Sequence, residues 1–277
     1  MDIVTLLSYP HCGPAGILTV MAPDVEVALI TAAAAFAVSL ISFPLNYLIS
    51  QRARRAQTLD LMGHYRDPLL WSVHDLRSRI RSILEDGYLT EYLVSVEDKV
   101  LDDGGAFMRP YARRSTIFVI AQYLGWVEIL RRDIGFLDLG HRHRNRKFVG
   151  LLSVIRQVFY AIDLDPVFHV LLAQQRAIGE LMIAPDHVSP GQGRCIGFAT
   201  FCYRLDNDRD FAAWFERIDA GIVGYAYHPN QGCNRLVELH VRLSELIEFL
   251  DPDLARFPLR HDERSRYKLH VHDPPVP

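Results

Sequence analysis

Between Val27 and Ile49 the chain places 23 consecutive residues without a formal charge. No other stretch limits the fold as strongly. At about 1.5 Å of rise per residue, a helix of that length reaches about 34 Å, and the hydrocarbon core of a bilayer is about 30 Å thick. A helix of this length in water would carry charges along its exposed face. A cleavable export signal needs a positive start, a shorter apolar run and small residues at the cut. Here no Lys or Arg precedes residue 50, and Gln51–Arg55 is no such cut. The pattern predicts a transmembrane helix over 27–49.

The predicted span is alanine-rich in its first half and holds Ser39, Ser42, Pro44 and Asn46 in its second. Pro44 removes one helical hydrogen bond and predicts a kink. The pairs Ala28/Ala32, Ala33/Ala37 and Ala35/Ser39 put small residues four apart, the spacing that lets two helices approach closely. A homodimer through this helix is one expectation. Arg52, Arg54 and Arg55 follow the span, whereas the upstream flank holds only the acids Asp2, Asp24 and Glu26. The positive-inside rule then sets the topology. The expected protein is a single-pass inner-membrane protein with its N-terminus outside and its C-terminal domain in the cytoplasm. The expected division is a short extracytoplasmic N-terminus (1–26), the span (27–49), a basic juxtamembrane segment (50–66), a cytosolic helical domain (67–258) and a mobile tail (259–277). Met1 and Met21 are both usable starts.

Of the 33 acids three precede residue 51, so the remaining chain balances 30 basic against 30 acidic residues. A neutral body argues against nucleic acid as the partner. Cys12, Cys195, Cys202 and Cys233 form no C-x-x-C pair, which reads as reduced thiols. The body scans as all-α, a multi-helix bundle. Asp67 and Pro68 look like an N-cap and first helical position. They are followed by a stripe of Leu69, Val73, Leu76, Ile80 and Ile83 that leaves Arg77, Arg79 and Arg81 off it. Gly87 can end that helix. Further helices are expected over 89–101, 110–134, 147–164 and 167–183, and another after the acidic cap of Asp206–Asp210. The last covers Asn234–Leu250, with leucines at 236, 239, 243, 246 and 250. The run "CIGFATFCY" (195–203) fits a short strand or a buried helix equally.

Chemistry is harder to find. Arg142, Arg144, Arg146 and Lys147 sit in "HRHRNRK", the densest basic run. It reads as a solvated loop before a helix or as a weak anion site for lipid headgroups or phosphate. Arg77 and Arg79 read as surface i,i+4 partners or as part of such an anion site. His141 and His143 lack the further ligands a metal needs, "DNDRD" lacks the glycine and the glutamate of a calcium loop, and no metal or cofactor is expected. Glu180 reads as a half-buried carboxylate in an apolar helix. No nucleophile–base pair or carboxylate pair can be assembled from spacing alone, so catalytic residues stay unassigned.

The segments "YRDPLLWSVHDLRSRIRSIL" (65–84), "QQRAIGELM" (174–182) and "RLVELHVRLSELIEFLDPD" (235–253) resemble segments of bacterial, often actinobacterial, membrane-anchored helical proteins. The resemblance implies an N-terminal membrane helix and a helical body, and no activity. The expectation is an anchored interaction or regulatory module with lipid and a protein as partners. The alternative is a tethered enzyme or effector acting on a lipid or nucleotide.

Overall fold

The computed structural model describes residues 23–94, 103–133, 142–185, 193–229, 233–253 and 256. The chain forms two compact units, 1–54 and 55–277. The tail after 256, Cys12, His141 and the last part of the helix expected over 89–101 lie outside the described residues.

The first unit contributes the opening of α1 (Pro23–Glu85). Val27, Ile30, Phe36, Val38 and Tyr47 are each between 61% and 69% exposed there. At about 100° per residue, Val27 and Phe36 face opposite sides of the helix. Apolar surface is therefore open around its circumference. Among the described residues no helix is long and apolar enough to cross a membrane. Within 27–49 the side chains of 28, 29, 35, 37, 39–41, 43–45, 48 and 49 lie outside the described set, so the small-residue pairs and Pro44 do too. So do the side chains of Arg52, Arg54 and Arg55.

In the second unit the described residues are helical, with no strand. The remainder of α1 buries Tyr65, Leu69, Leu70, Val73, Leu76, Ile80 and Ile83. The expected start at Asp67 and Pro68 is wrong, because both lie inside α1. An interior proline loses one N–H bond and crowds the carbonyl four residues back, which weakens or kinks a helix without having to end it. Gly87 ends the element as expected, in the left-handed region at φ 62°, where a side chain would be strained.

The other helices are α2 (Tyr88–Leu93), α3 (Asp103–Asp133), α4 (Arg142–Tyr160), α5 (Leu172–Leu181), α6 (Phe198–Asn207), α7 (Arg209–Ala213), α8 (Glu216–Tyr227) and α9 (Asn234–Leu250). α3 starts seven residues before the expected Pro110, which it carries inside. α4 begins five residues before Lys147, so the run from Arg142 to Lys147 is helical rather than a loop. The helix expected from Val167 begins only at Leu172. Phe168 before it adopts φ 53° while fully buried. "CIGFATFCY" is mostly α6, and Cys195 pairs with Ile183 in one isolated antiparallel bridge. α9 has the expected bounds.

α3 packs on α5, α9 on α4, and α2 on α8 and α3. The α3–α5 seam depends on two glycines. A Cβ at Gly179 would lie 2.8 Å from the Leu124 carbonyl oxygen, and one at Gly125 would lie 2.6 Å from Cys195 Sγ. Phe118, Phe198, Phe201, Phe211 and Phe215 knit α3, α6, α7 and the entry to α8 by edge-on or tilted ring contacts at 5.0–5.7 Å.

Among the described residues Arg235 is one of the largest fully buried side chains. Its Nε donates to Asp165 O (2.9 Å) and Nη1 to Phe159 O (3.0 Å) and Val158 O. Nη2 donates to Ala161 O (2.7 Å) and Leu164 O (3.3 Å). Carbonyls in the last turn of α4 lack helical partners, and this one guanidinium reaches two of them and three more in the loop beyond, while Phe159 O also accepts from the Val170 N–H.

Candidate functional site

The arginines singled out from sequence fall into separate surroundings. Arg77 is 5% exposed and donates from Nε to Ser244 Oγ of α9 at 2.8 Å. It is not the surface partner expected. It lies four residues after Val73 and three before Ile80, so the buried face is wider than the hydrophobic stripe suggested. Arg79 stacks over the Tyr88 ring at 4.1 Å, a cation–π contact that closes the α1–α2 corner.

Arg144, Arg146 and Lys147 are exposed on the first turns of α4, while the Arg142 side chain lies outside the described residues. Arg144 and Lys147 flank the Phe249 ring of α9 at 5.8 and 5.9 Å, and Phe249 stacks on Phe148. Cations in a first helical turn oppose the helix dipole, and here two of the charged heads lie near the face of an aromatic ring.

Glu180 is exposed rather than half-buried, and it pairs with Arg132 at 3.2 Å. The buried carboxylate of this seam is Glu128, which accepts from Arg131 Nε at 2.7 Å and Arg132 Nε at 3.0 Å. Burial pulls its carboxyl upward. The two guanidiniums outweigh burial and hold it below its ordinary value.

One concave site of the body was not visible in the sequence. A cavity of about 260 Å³ opens between α3 and the α6–α8 segment. Its apolar lining is Pro110, Ile117, Leu205, Ala212 and Phe215, of which Ile117 and Phe215 are buried. Arg113, Arg114, Glu216 and Asp219 line it. Arg113 meets the Asp219 carboxylate with two donors, Nε to Oδ1 at 2.8 Å and Nη2 to Oδ2. Those hydrogen bonds raise its affinity for the proton against burial, so the pair stays ionised. Arg114 Nη2 donates to Asp206 Oδ1 at 2.7 Å. Its charge also bears on Cys202, whose thiol is pushed up chiefly by burial. The signal for this site was an Arg-Arg pair inside an otherwise apolar helix run. Its acidic partners stand about 100 residues away.

Elsewhere, Asp208 caps α7 by accepting from the Phe211 N–H at 3.0 Å, the capping role that replaces the rejected calcium loop. Arg217 Nη2 lies 2.8 Å from His169 Nδ1, and His169 Nε2 lies 3.3 Å from Tyr160 O. Arginine cannot accept, so Nδ1 accepts and Nε2 carries the proton. Burial, with the charges of Arg235 and Arg217, lowers the His169 pKa. Cys195, Cys202 and Cys233 are free thiols, and burial pushes that of Cys195 up to about 12. Among the described residues no group of three or more His, Cys, Asp and Glu side chains could hold a metal. No protein-family model matches the chain, and comparison with curated proteins and with solved structures gives no match.

Proposed function

We propose that the chain is a single-pass membrane-anchored protein whose helical body acts as an interaction or regulatory module on the cytoplasmic face. The observation that carries the anchor is the apolar exposure around the opening of α1. Val27, Ile30, Phe36, Val38 and Tyr47 face water in the isolated chain, and no charge interrupts Val27–Ile49. A helix that is apolar all round belongs in lipid or in a core, and the described apolar side chains of this one are exposed. Arg52, Arg54 and Arg55 support the cytoplasmic side for the body. The module reading is supported by a body packed around one continuous cluster of buried apolar side chains.

Alkaline carbonate washing of membranes tests the anchor: the protein is expected in the pellet, and release to the supernatant overturns the reading. A reporter fused to the C-terminus tests the orientation. Crosslinking in membranes followed by capture tests the module, with a specific protein partner expected. One observation favours a tethered enzyme or effector instead, the convergence of Arg113, Arg114 and Glu216 on a cavity. The ion pairs weigh against a lipid phosphate or nucleotide there, because both guanidiniums already face aspartates.

A further inference from the structure

We propose that the α3–α8 cavity receives a lysine or arginine side chain from a partner protein, an inference that rests on the module reading. Charge decides the sign of the guest. Arg113 is neutralised by Asp219 and Arg114 by Asp206. Glu216, exposed at the start of α8, has no ion pair among the described residues and leaves the site with one uncompensated negative charge. An anion could reach only the donors that Asp219 and Asp206 leave unused, and it would add to the negative charge of Glu216. A cation would complete the set.

Size and lining decide the shape of the guest. About 260 Å³ is below the range of about 300–1,000 Å³ typical of cavities that hold drug-sized ligands. There is room for one long side chain rather than a cofactor. The lining combines apolar Ile117, Leu205, Ala212 and Phe215, two of them buried, with the exposed carboxylate of Glu216. That suits a side chain with an aliphatic stem and a charged head.

The surroundings point to a protein as the bearer of that side chain. Phe107 is 66% exposed and stacks on the exposed Tyr111 at 5.7 Å. At positions 107, 110, 111 and 114, these two rings, Pro110 and Arg114 share one face of α3 beside the cavity. Exposed aromatics next to arginine are the composition of an interface centre. A free amine would leave that shelf uncovered.

The test uses the full chain in lipid nanodiscs with labelled Ile and Leu methyl groups. n-Butylamine, butyrate and 1-butanol are titrated separately, followed by a short peptide carrying one lysine between leucines and its lysine-acetylated form. Butylamine should shift the Ile117 and Leu205 methyl signals saturably, and butyrate and butanol should not. Glu216→Gln should weaken the amine by about tenfold, the worth of one charge-assisted contact. Glu216 is exposed, so the variant should melt as the parent does. The lysine peptide should bind more tightly than butylamine, lose that gain in Phe107→Ser, and fail when acetylated. Equal binding of butyrate, unchanged binding in Glu216→Gln, or no saturable shift overturns the cation site. A peptide that binds no better than butylamine overturns the protein guest. Capture of a crosslinked partner by the Glu216→Gln protein as by the parent would leave the module reading standing without this site.

Discussion

Arg235 shows how a single residue sets local structure in this chain. It sits in the first turn of α9, yet it holds together the end of α4 and the loop beyond it, through five carbonyls from Val158 to Asp165. Arg235→Met keeps the volume and removes every donor. Phe159 O keeps the Val170 N–H, and each of the other four carbonyls costs about 1–3 kcal/mol where nothing replaces its partner. The expected loss is about 3 kcal/mol or more, read as a lower urea midpoint for the body. Arg235→Lys should recover part of it, since an ammonium carries three donors on one atom. His169 gives the pH dependence. Its folded pKa is lowered, first by burial, against an ordinary value of about 6.5. The folded state therefore binds fewer protons than the unfolded one below that pH. The contribution of His169 is complete above about pH 6.5 and is lost as pH falls from there toward the folded pKa. Melting temperature against pH should slope downward below 6.5 in the parent and less so in His169→Gln.

At the scale of elements, glycines separate helix propensity from packing. A Cβ at Gly150 in α4 would meet nothing within 4 Å, and one at Gly179 in α5 would meet the Leu124 carbonyl at 2.8 Å. Gly150→Ala should stabilise by about 0.5–1 kcal/mol, the ordinary gain in a helix interior. Gly179→Ala gains the same propensity, but it forces α3 and α5 apart and should destabilise by a net 1 kcal/mol or so, within the range of about 1–3 kcal/mol for overpacking. Thermal melts of the two variants should move in opposite directions. The same contrast explains what the sequence disclosed. α9 was legible because its leucines repeat at the helical spacing and nothing interrupts them. Asp208 and Gly87 were legible because capping and left-handed turns are local chemistry. Arg235 was missed although it lies four residues before Leu239, on the same buried face. A charge on an apolar stripe was its signal. The start of α4 reads as a loop because a basic run looks solvated until its cations find an aromatic partner, here Phe249. The cavity was illegible because its ion pairs join α3 to residues of α6 and α8, and spacing along a chain does not encode such distances.

At the scale of the whole molecule, the open question is what surrounds the start of α1, and one substitution separates the answers by sign. Val38 is the midpoint of the uncharged run 27–49 and is exposed. In lipid, an aspartate at the centre of a span costs about 2.5–3.5 kcal/mol of insertion free energy. The margin available to offset it is modest, because Leu, Ile, Phe and Val each contribute only about 0.3–0.6 kcal/mol and the second half carries Ser39, Ser42, Pro44 and Asn46. Val38→Asp should therefore move a large part of the protein from the carbonate-resistant pellet to the supernatant. The body, a separate compact unit, should keep its circular dichroism and its melting temperature. In water the same substitution replaces an exposed apolar group by a charged one and should raise solubility without changing where the protein fractionates. Val38→Leu, which changes bulk but not polarity, serves as the comparison and should stay in the pellet. An aspartate variant that fractionates like the leucine variant would mean that lipid does not surround this helix, and a protein surface would then have to cover the ring of apolar side chains from Val27 to Tyr47.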